Sequence, residues 1–348
     1  MSVYPCANMS GYGDVVPGTR GQSGAPTRAL VTGATGFAGQ HLVELLLRET
    51  DWHILGFGRT ASNQHHARYQ FCAGDISSDR QIREVLAEGR PEYVFHLAAA
   101  TPPAPDAHMH AVNVGGTANL LEAVYATSPQ ARVLIVGSDA QYGALPSHDV
   151  PTPERAPQRP VGAYGRSKAL QEQVALQFRK MTSLQVVCVR PFNHIGPGQS
   201  ERFVVASLAR QIASAEAGIR PSTIQLGRTD TMRDFTDVRD VVRAYLACAR
   251  LGEDGAVYNV GSGRSSSIAE IADRLAAFAT CPMTFTSVEE RARPGDVLRT
   301  ECDASAVRTR TGWEPRIPLE QTLRDTLEYW RTQLHGSLTS QRGTEEPR

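Results

Sequence analysis

Three observations predict an α/β protein built on a doubly wound parallel sheet, with a smaller α/β lobe at the carboxyl end. Short apolar runs alternate with segments of helical spacing from Arg28 onward, a glycine cluster follows the first run, and beyond Pro191 the alternation breaks into Gly- and Pro-bearing loops. Ala29–Thr32, His53–Phe57, Tyr93–Leu97, Val133–Gly137 and Gln185–Arg190 read as buried strands, with a weaker one just before Gly74. His41–Leu47, Gln81–Glu88, Thr117–Ala126 and Ala169–Arg179 carry the spacing of helices between them. Strands joined this way run parallel through right-handed crossovers and are covered on both faces. After Pro191, helices are expected near Phe203–Ala217, Val238–Ala249 and Ile268–Phe278, and short strands at Ile224–Leu226, Val257–Val260 and Met283–Thr286.

Composition narrows the function. The 348 residues carry 41% hydrophobic side chains, enough for a substantial core. Lys and Arg total 36 against 36 Asp and Glu, so no global field draws the chain to nucleic acid or an anionic membrane, and an anionic ligand must be held by local arginines. No apolar run nears the ~20 residues that span a bilayer, and Met1–Gln22 lacks the pattern of a secretory signal, which points to the cytoplasm. The six cysteines are scattered without a C-x-x-C pair and read as small apolar residues. His65-His66 and His108/His110 have no carboxylate or cysteine at ligand spacing, so they read as loop histidines and no metal is expected. Residues 1–27 and 335–348 lack apolar periodicity and are expected to be flexible tails.

Gly33-Ala34-Thr35-Gly36-Phe37-Ala38-Gly39 follows the first strand and opens the first helix. In that context glycines permit a tight turn and close approach of a pyrophosphate, which the helix N-terminus attracts. The fold is therefore expected to be Rossmann-type, with residues 28–190 binding a dinucleotide and 191–334 mainly a substrate lobe, some of whose segments return to the first sheet. The second strand leads to Arg59 where NAD enzymes carry an acid, so a 2′-phosphate and NADP(H) are preferred, with NAD(H) use also expected; the alternative is an exposed loop arginine. Asp75, followed by Ile76, is placed either to accept from the adenine amino group or to cap its own turn.

Tyr164 and Lys168 stand at i and i+4 on a helix, and Lys168 is one of only two lysines in a chain that otherwise uses arginine. An ammonium beside a phenol is expected to lower the phenol's pKa from ~10 toward working pH and make it an acid or base at a carbonyl or carbinol oxygen. A compact ammonium also bonds ribose hydroxyls where a planar guanidinium does not fit. Ser138, just past the strand Val133–Gly137, would bring its hydroxyl to the carboxyl edge of the sheet and polarise that oxygen.

Together, Gly33-x-x-Gly36-Phe37-x-Gly39, His96-Leu97-Ala98-Ala99, Asn113-Val114-x-Gly116-Thr117, Ser138 and Tyr164-x-x-x-Lys168 resemble the extended short-chain dehydrogenase/reductase family, over about Arg28 to Leu334. The resemblance implies NAD(P)-dependent chemistry on a nucleotide sugar, with Leu97, Ala98, Ala99, Ile76 and Pro191 joining the glycines, Thr35 and Phe37 around the cofactor. The later runs Arg190-Pro191-Phe192-Asn193-His194-Ile195-Gly196-Pro197-Gly198-Gln199, Arg233-Asp234-Phe235-Thr236-Asp237, Arg293-Pro294-x-Asp296-Val297 and Thr311-Gly312-Trp313-Glu314-Pro315 are similar to GDP-4-keto-6-deoxy-D-mannose reductases. That implies reduction of a GDP-linked 4-keto-6-deoxy sugar to GDP-D-rhamnose, with Asn193, Arg202, Arg233 and Arg293 on the substrate. With the helices Thr117–Ala126 and Ala169–Arg179, it also implies a homodimer.

Two departures bear on the reaction. Dehydratases of the family resemble one another in carrying a Glu base two residues after the Ser/Thr, where this chain has Ala140, which moves no proton. The reductases typically pair Ser with Ser, where this chain has Asp139. A 4-epimerase, a 4,6-dehydratase and a non-catalytic NADP-binding scaffold remain the alternatives.

Overall fold

The apolar runs pair side by side, and each passes through a helix before the next strand, which gives the sheet its direction. In the computed structural model residues 26–145, 150–287 and 297–342 are described. Strands β1 (Arg28–Thr32), β2 (His53–Gly58), β3 (Tyr69–Ala73), β4 (Tyr93–His96), β5 (Arg132–Val136), β6 (Gln185–Pro191) and β10 (Val257–Val260) form one seven-stranded sheet in the order β10-β6-β5-β4-β1-β2-β3. Every pairing in it is parallel. The order reverses between β1 and β4, the switch point beyond whose carboxyl ends such sheets bind ligands.

Helices α1 (Phe37–Glu49), α2 (Asp79–Gly89), α3 (Asp106–His110), α4 (Gly116–Thr127), α5 (Gly162–Met181) and α7 (Val238–Leu251) flank the sheet. One apolar core joins Leu42, Leu46 and Trp52 to Val241, Tyr245 and Trp313 on one face, and another joins Ile82, Leu86, Leu120, Leu121 and Ala175 on the other. His108 and His110 lie on α3, not in a loop as their sequence context suggested.

The remaining elements are β7 (Asn193–Ile195), α6 (Val204–Glu216), β8 (Thr223–Leu226), β9 (Met232–Asp237), β11 (Ser265–Ser267), α8 (Ile268–Ala276), β12 (Thr284–Ser287), α9 (Ser305–Thr311) and α10 (Leu319–Arg342). They make a three-stranded sheet β11-β9-β7, a two-stranded sheet β12-β8, and a third core around Val205, Ile212, Leu275, Leu323 and Leu327. The division at residue 190 is therefore interleaved. The apolar strand β10 pairs with β6, and α7 presents Val238, Val241, Val242 and Tyr245 to the core that holds α1. The carboxyl end also departs from the expected tail, since α10 continues past His335 to Arg342 with no proline before Pro347 to stop it. No helix among the described residues is long and apolar enough to cross a membrane.

Candidate active site

The glycine turn comes first in the chain and at the switch point. Gly33 has φ +70°, and a Cβ there would lie 2.8 Å from Ala98 N; one at Gly39 would lie 2.1 Å from Gly33 O. The turn thus packs backbone to backbone on Leu97-Ala98, and only glycine fits either position. Helix α1 begins at Phe37 with no side-chain cap and no acidic residue in its first turn, which leaves its N–H groups and positive end to an anion. This cradle fits a pyrophosphate. Thr35 Oγ1 lies close to Gly58 at the end of β2. Arg59 follows β2, exposed, and its charge reaches Asp75.

Asp75 adopts the turn-capping geometry, its Oδ1 accepting from Ser77 N at 2.9 Å and Ser77 Oγ at 2.7 Å. Burial pushes its carboxyl up, but those bonds and Arg59 outweigh it and leave the group below its usual range. Ile76 is buried against Gly116. His96 is enclosed between Thr32 Oγ1 and Thr117 Oγ1, each at 2.8 Å, and burial lowers its pKa to about 3, so it is a neutral strut beneath the turn.

The second cluster forms where β5 ends. Ser138 caps the short 3₁₀ turn 139–141; its Oγ accepts from Ala140 N at 3.2 Å and donates to Asp139 Oδ1 at 3.2 Å. Tyr164, on the first turn of α5, faces Ser138, whose hydroxyl favours the phenolate, yet burial pushes the phenol up to about 12. Lys168 is 2% exposed and donates to Val136 O and Gln171 Oε1, both at 2.7 Å. Desolvation lowers the ammonium to about 7. Lys168 therefore does not pull the phenol's pKa down, contrary to what the i, i+4 spacing predicts. The ammonium's donors are directed to a carbonyl and an amide, and the cost of burying a phenolate dominates, so Tyr164 is held as a neutral acid.

Beneath this cluster lies a buried polar network that reading the sequence missed. Glu172 takes a two-pronged pair from Arg190 at 2.8 and 2.6 Å and accepts from Gln141 Nε2 at 3.0 Å, while Gln141 Oε1 accepts from Ser138 N at 2.9 Å. Burial raises the Glu172 carboxyl, and Arg190, with the bonds from Gln141 and Gln158, more than reverses the shift. The spacing Ser138-x-x-Gln141, a reciprocal cap at a turn, was the available signal, as was Glu172 four residues after Lys168 on one helix face. Asn113 is also fully buried, in a π-helical segment, and bonds Ala100 N, Ala100 O and Ser167 Oγ, tying the strand-end loop to α5.

The second lobe closes on these groups through β7 and β9. Phe37 stacks on His194 with ring centroids 5.9 Å apart, and His41 Nε2 meets Pro197 O at 2.9 Å. Pro191 is buried at the end of β6, and Asn193 begins β7 with its Oδ1 buried and accepting no protein hydrogen bond. Arg233 on β9 donates to Met232 O and is near enough to Asp139 to favour its charged form. Arg202 is exposed and turns its Nε to Ser200 Oγ at 3.4 Å, so it is not gathered into the cluster. Arg293 lies outside the described residues.

A family model described as GDP-mannose 4,6 dehydratase matches residues 30–326. The GDP-6-deoxy-D-mannose reductase of Pseudomonas aeruginosa is 35% identical over 312 residues, covering 88% of this chain and 98% of that protein. A UDP-glucose 4-epimerase of Mycolicibacterium smegmatis is 31% identical over 322 residues, covering 87% of this chain and 98% of that protein. Among solved structures, RMD from Pseudomonas aeruginosa complexed with NADPH is similar with a TM-score of 0.79 and 34% identity, over 88% of this chain and 99% of that one.

Proposed function

Because the chain belongs to the GDP-mannose 4,6 dehydratase family, within the extended short-chain dehydrogenases/reductases, we propose that it reduces the C4 ketone of GDP-4-keto-6-deoxy-D-mannose to GDP-D-rhamnose. The observation that carries the reading is a phenol kept neutral against Ser138, with Ala140 standing where elimination would need a base. Reduction needs a protonated donor at the ketone oxygen, and Tyr164 is one. A reduced dinucleotide held by its pyrophosphate in the glycine cradle, NADPH in preference to NADH, would supply the hydride.

Tyr164 gives its proton to the developing C4 alkoxide, and Ser138 polarises the same oxygen. Lys168, fixed by Val136 O and Gln171, retains one N–H for the nicotinamide ribose. Gly33, Thr35, Gly36, Phe37 and Gly39 hold the pyrophosphate side, with Arg59, Asp75 and Ile76 toward the adenosine and Leu97, Ala98, Ala99 and Pro191 around the cofactor. Asn193, Arg202, Arg233 and Arg293 hold the GDP-sugar; the unpartnered Asn193 Oδ1 is an acceptor for a substrate donor, and guanidinium groups suit a diphosphate. Exposed apolar residues on the α4 and α5 pair, Tyr125, Leu170 and Met181, support a two-fold dimer formed there.

The test is to supply enzymatically prepared GDP-4-keto-6-deoxy-D-mannose with NADPH and follow nicotinamide oxidation and the product by NMR. GDP-D-rhamnose in proportion to NADPH consumed is expected. Interconversion of nucleotide sugars without net nicotinamide consumption would assign the chain to the epimerases.

A further inference from the structure

We propose that Asp139 is a positioning residue that sets the direction of the Ser138 hydroxyl hydrogen and returns a proton to Tyr164 through it. The inference rests on the reductive reading of the site. Ser138 has a single hydroxyl hydrogen, and it is directed at Asp139 Oδ1, 3.2 Å away, while Ala140 N donates to the Ser138 oxygen. The Tyr164 phenol faces the same serine, so phenol, hydroxyl and carboxyl stand in one row. While Asp139 is ionised, the row runs from phenol to serine to carboxylate, and the serine hydrogen is turned away from a substrate ketone. Protonation of Asp139 reverses it: the carboxylic acid donates to Ser138 Oγ, and the serine hydrogen is released toward the ketone or Tyr164.

The reversal also balances the proton that reduction consumes. The phenol O–H bond breaks as the alkoxide O–H bond forms; the phenolate then takes the serine hydrogen, and the serine takes the proton of Asp139. The carboxylate left behind is reprotonated by solvent hydronium. The groups facing Asp139 suit that cycle. Burial pushes the carboxyl up to about 6, the Ser138 bond and Arg233 on β9 oppose the shift, and Asp234 on β9 reinforces it. Tyr164 faces it from α5, and the Cys302 thiol, which stays protonated, lies ahead of α9. The protonated fraction therefore falls as pH rises through that value.

Asp139→Asn separates the roles, because an amide still donates to Ser138 but neither titrates nor passes a proton. Below the range in which Lys168 loses its proton, at saturating NADPH and sugar, wild-type kcat is expected to fall by about threefold or more from pH 5 to 6.5, and the asparagine variant to be level over that interval at a reduced rate. Asp139→Glu should restore a titrating limb, displaced in pH. An unchanged limb in Asp139→Asn overturns the inference while leaving the proposed reaction intact; a wild type that never reduces the sugar overturns the reaction instead. Infrared difference spectra of the cofactor-loaded protein decide without turnover. A protonated-carboxyl band lost in Asp139→Asn and displaced in midpoint by Ser138→Ala is expected, and absence of that band overturns the inference.

Discussion

The wall of the site built by the seven-stranded sheet and the wall supplied by the second lobe are made of different materials. On the sheet side, Ser138 is 8% exposed and Lys168 2%, fixed by a strand end, a twenty-residue helix and the Glu172–Arg190 pair below them. On the lobe side, Asn193 starts a three-residue strand, Arg233 stands on a short sheet, and Arg202 is exposed. Proton transfer loses rate steeply with small displacements, so its groups need rigid, cross-braced support. Contacts that bind substrate and transition state alike tolerate looser mounting and can be exchanged without disturbing the chemistry. The comparison predicts that changes on the sheet wall lower kcat, whereas changes on the lobe wall raise KM.

The largest effect should follow Tyr164→Phe. The ring and its packing are retained and only the acid is lost, so kcat should fall by ~10²–10⁴-fold while NADPH affinity, measured by fluorescence titration, holds within about twofold. A variant that reduces the sugar at near wild-type rate would remove Tyr164 as the donor and with it the contrast between the two walls.

The same contrast explains how much could be read from the chain. The strands and helices of the first sheet repeat a strong period, and the glycine turn and Tyr164–Lys168 spacing are local patterns, so the fold and the candidate residues Ser138, Tyr164 and Lys168 were legible. What escaped depends on contacts distant in sequence. Val257–Val260 reads as an apolar strand, but only its pairing with β6 moves it out of the second lobe. Tyr164 and Lys168 have the spacing of neighbours, but the acceptors that occupy Lys168 come from Val136, 32 residues away, and Gln171. Burial then decides the phenol's charge, and burial is a property of the packed molecule. Arg190 and Glu172, 18 residues apart, meet only when β6 and α5 pack.

A smaller effect should follow Asn193→Ala on the lobe wall. Its Oδ1 is a buried acceptor with no protein donor, and such an orphan costs about 1–3 kcal/mol, so removing it should leave the melting temperature unchanged or raised. The lost sugar contact should raise KM for the GDP-sugar by about tenfold with kcat nearly unchanged. A collapse of kcat at constant KM would place Asn193 among the groups that serve the transition state, and the division between the walls would have to be redrawn.

Arg59→Ala should give the smallest change, and it sharpens the comparison from within the sheet half. A shielded arginine on a 2′-phosphate is worth about 1.5–3 kcal/mol, or ten- to a hundredfold in affinity. Arg59, however, is exposed at the end of β2, where water and salt screen it, and exposed ion pairs contribute about 0–1 kcal/mol. The expected increase in KM for NADPH is therefore about two- to fivefold, with KM for NADH unaltered. Saturated turnover should be the same with either cofactor, because the contact is remote from the ketone and equal in ground and transition states. Steady-state kinetics at low and high salt provide the check: the preference for NADPH should shrink as ionic strength rises in the wild type and be nearly salt-independent in the variant. An unchanged NADPH-to-NADH ratio would leave Arg59 only its electrostatic contact with Asp75, whereas a hundredfold loss would mean that the bound phosphate draws the arginine out of solvent and makes this edge of the sheet half as closely built as its centre.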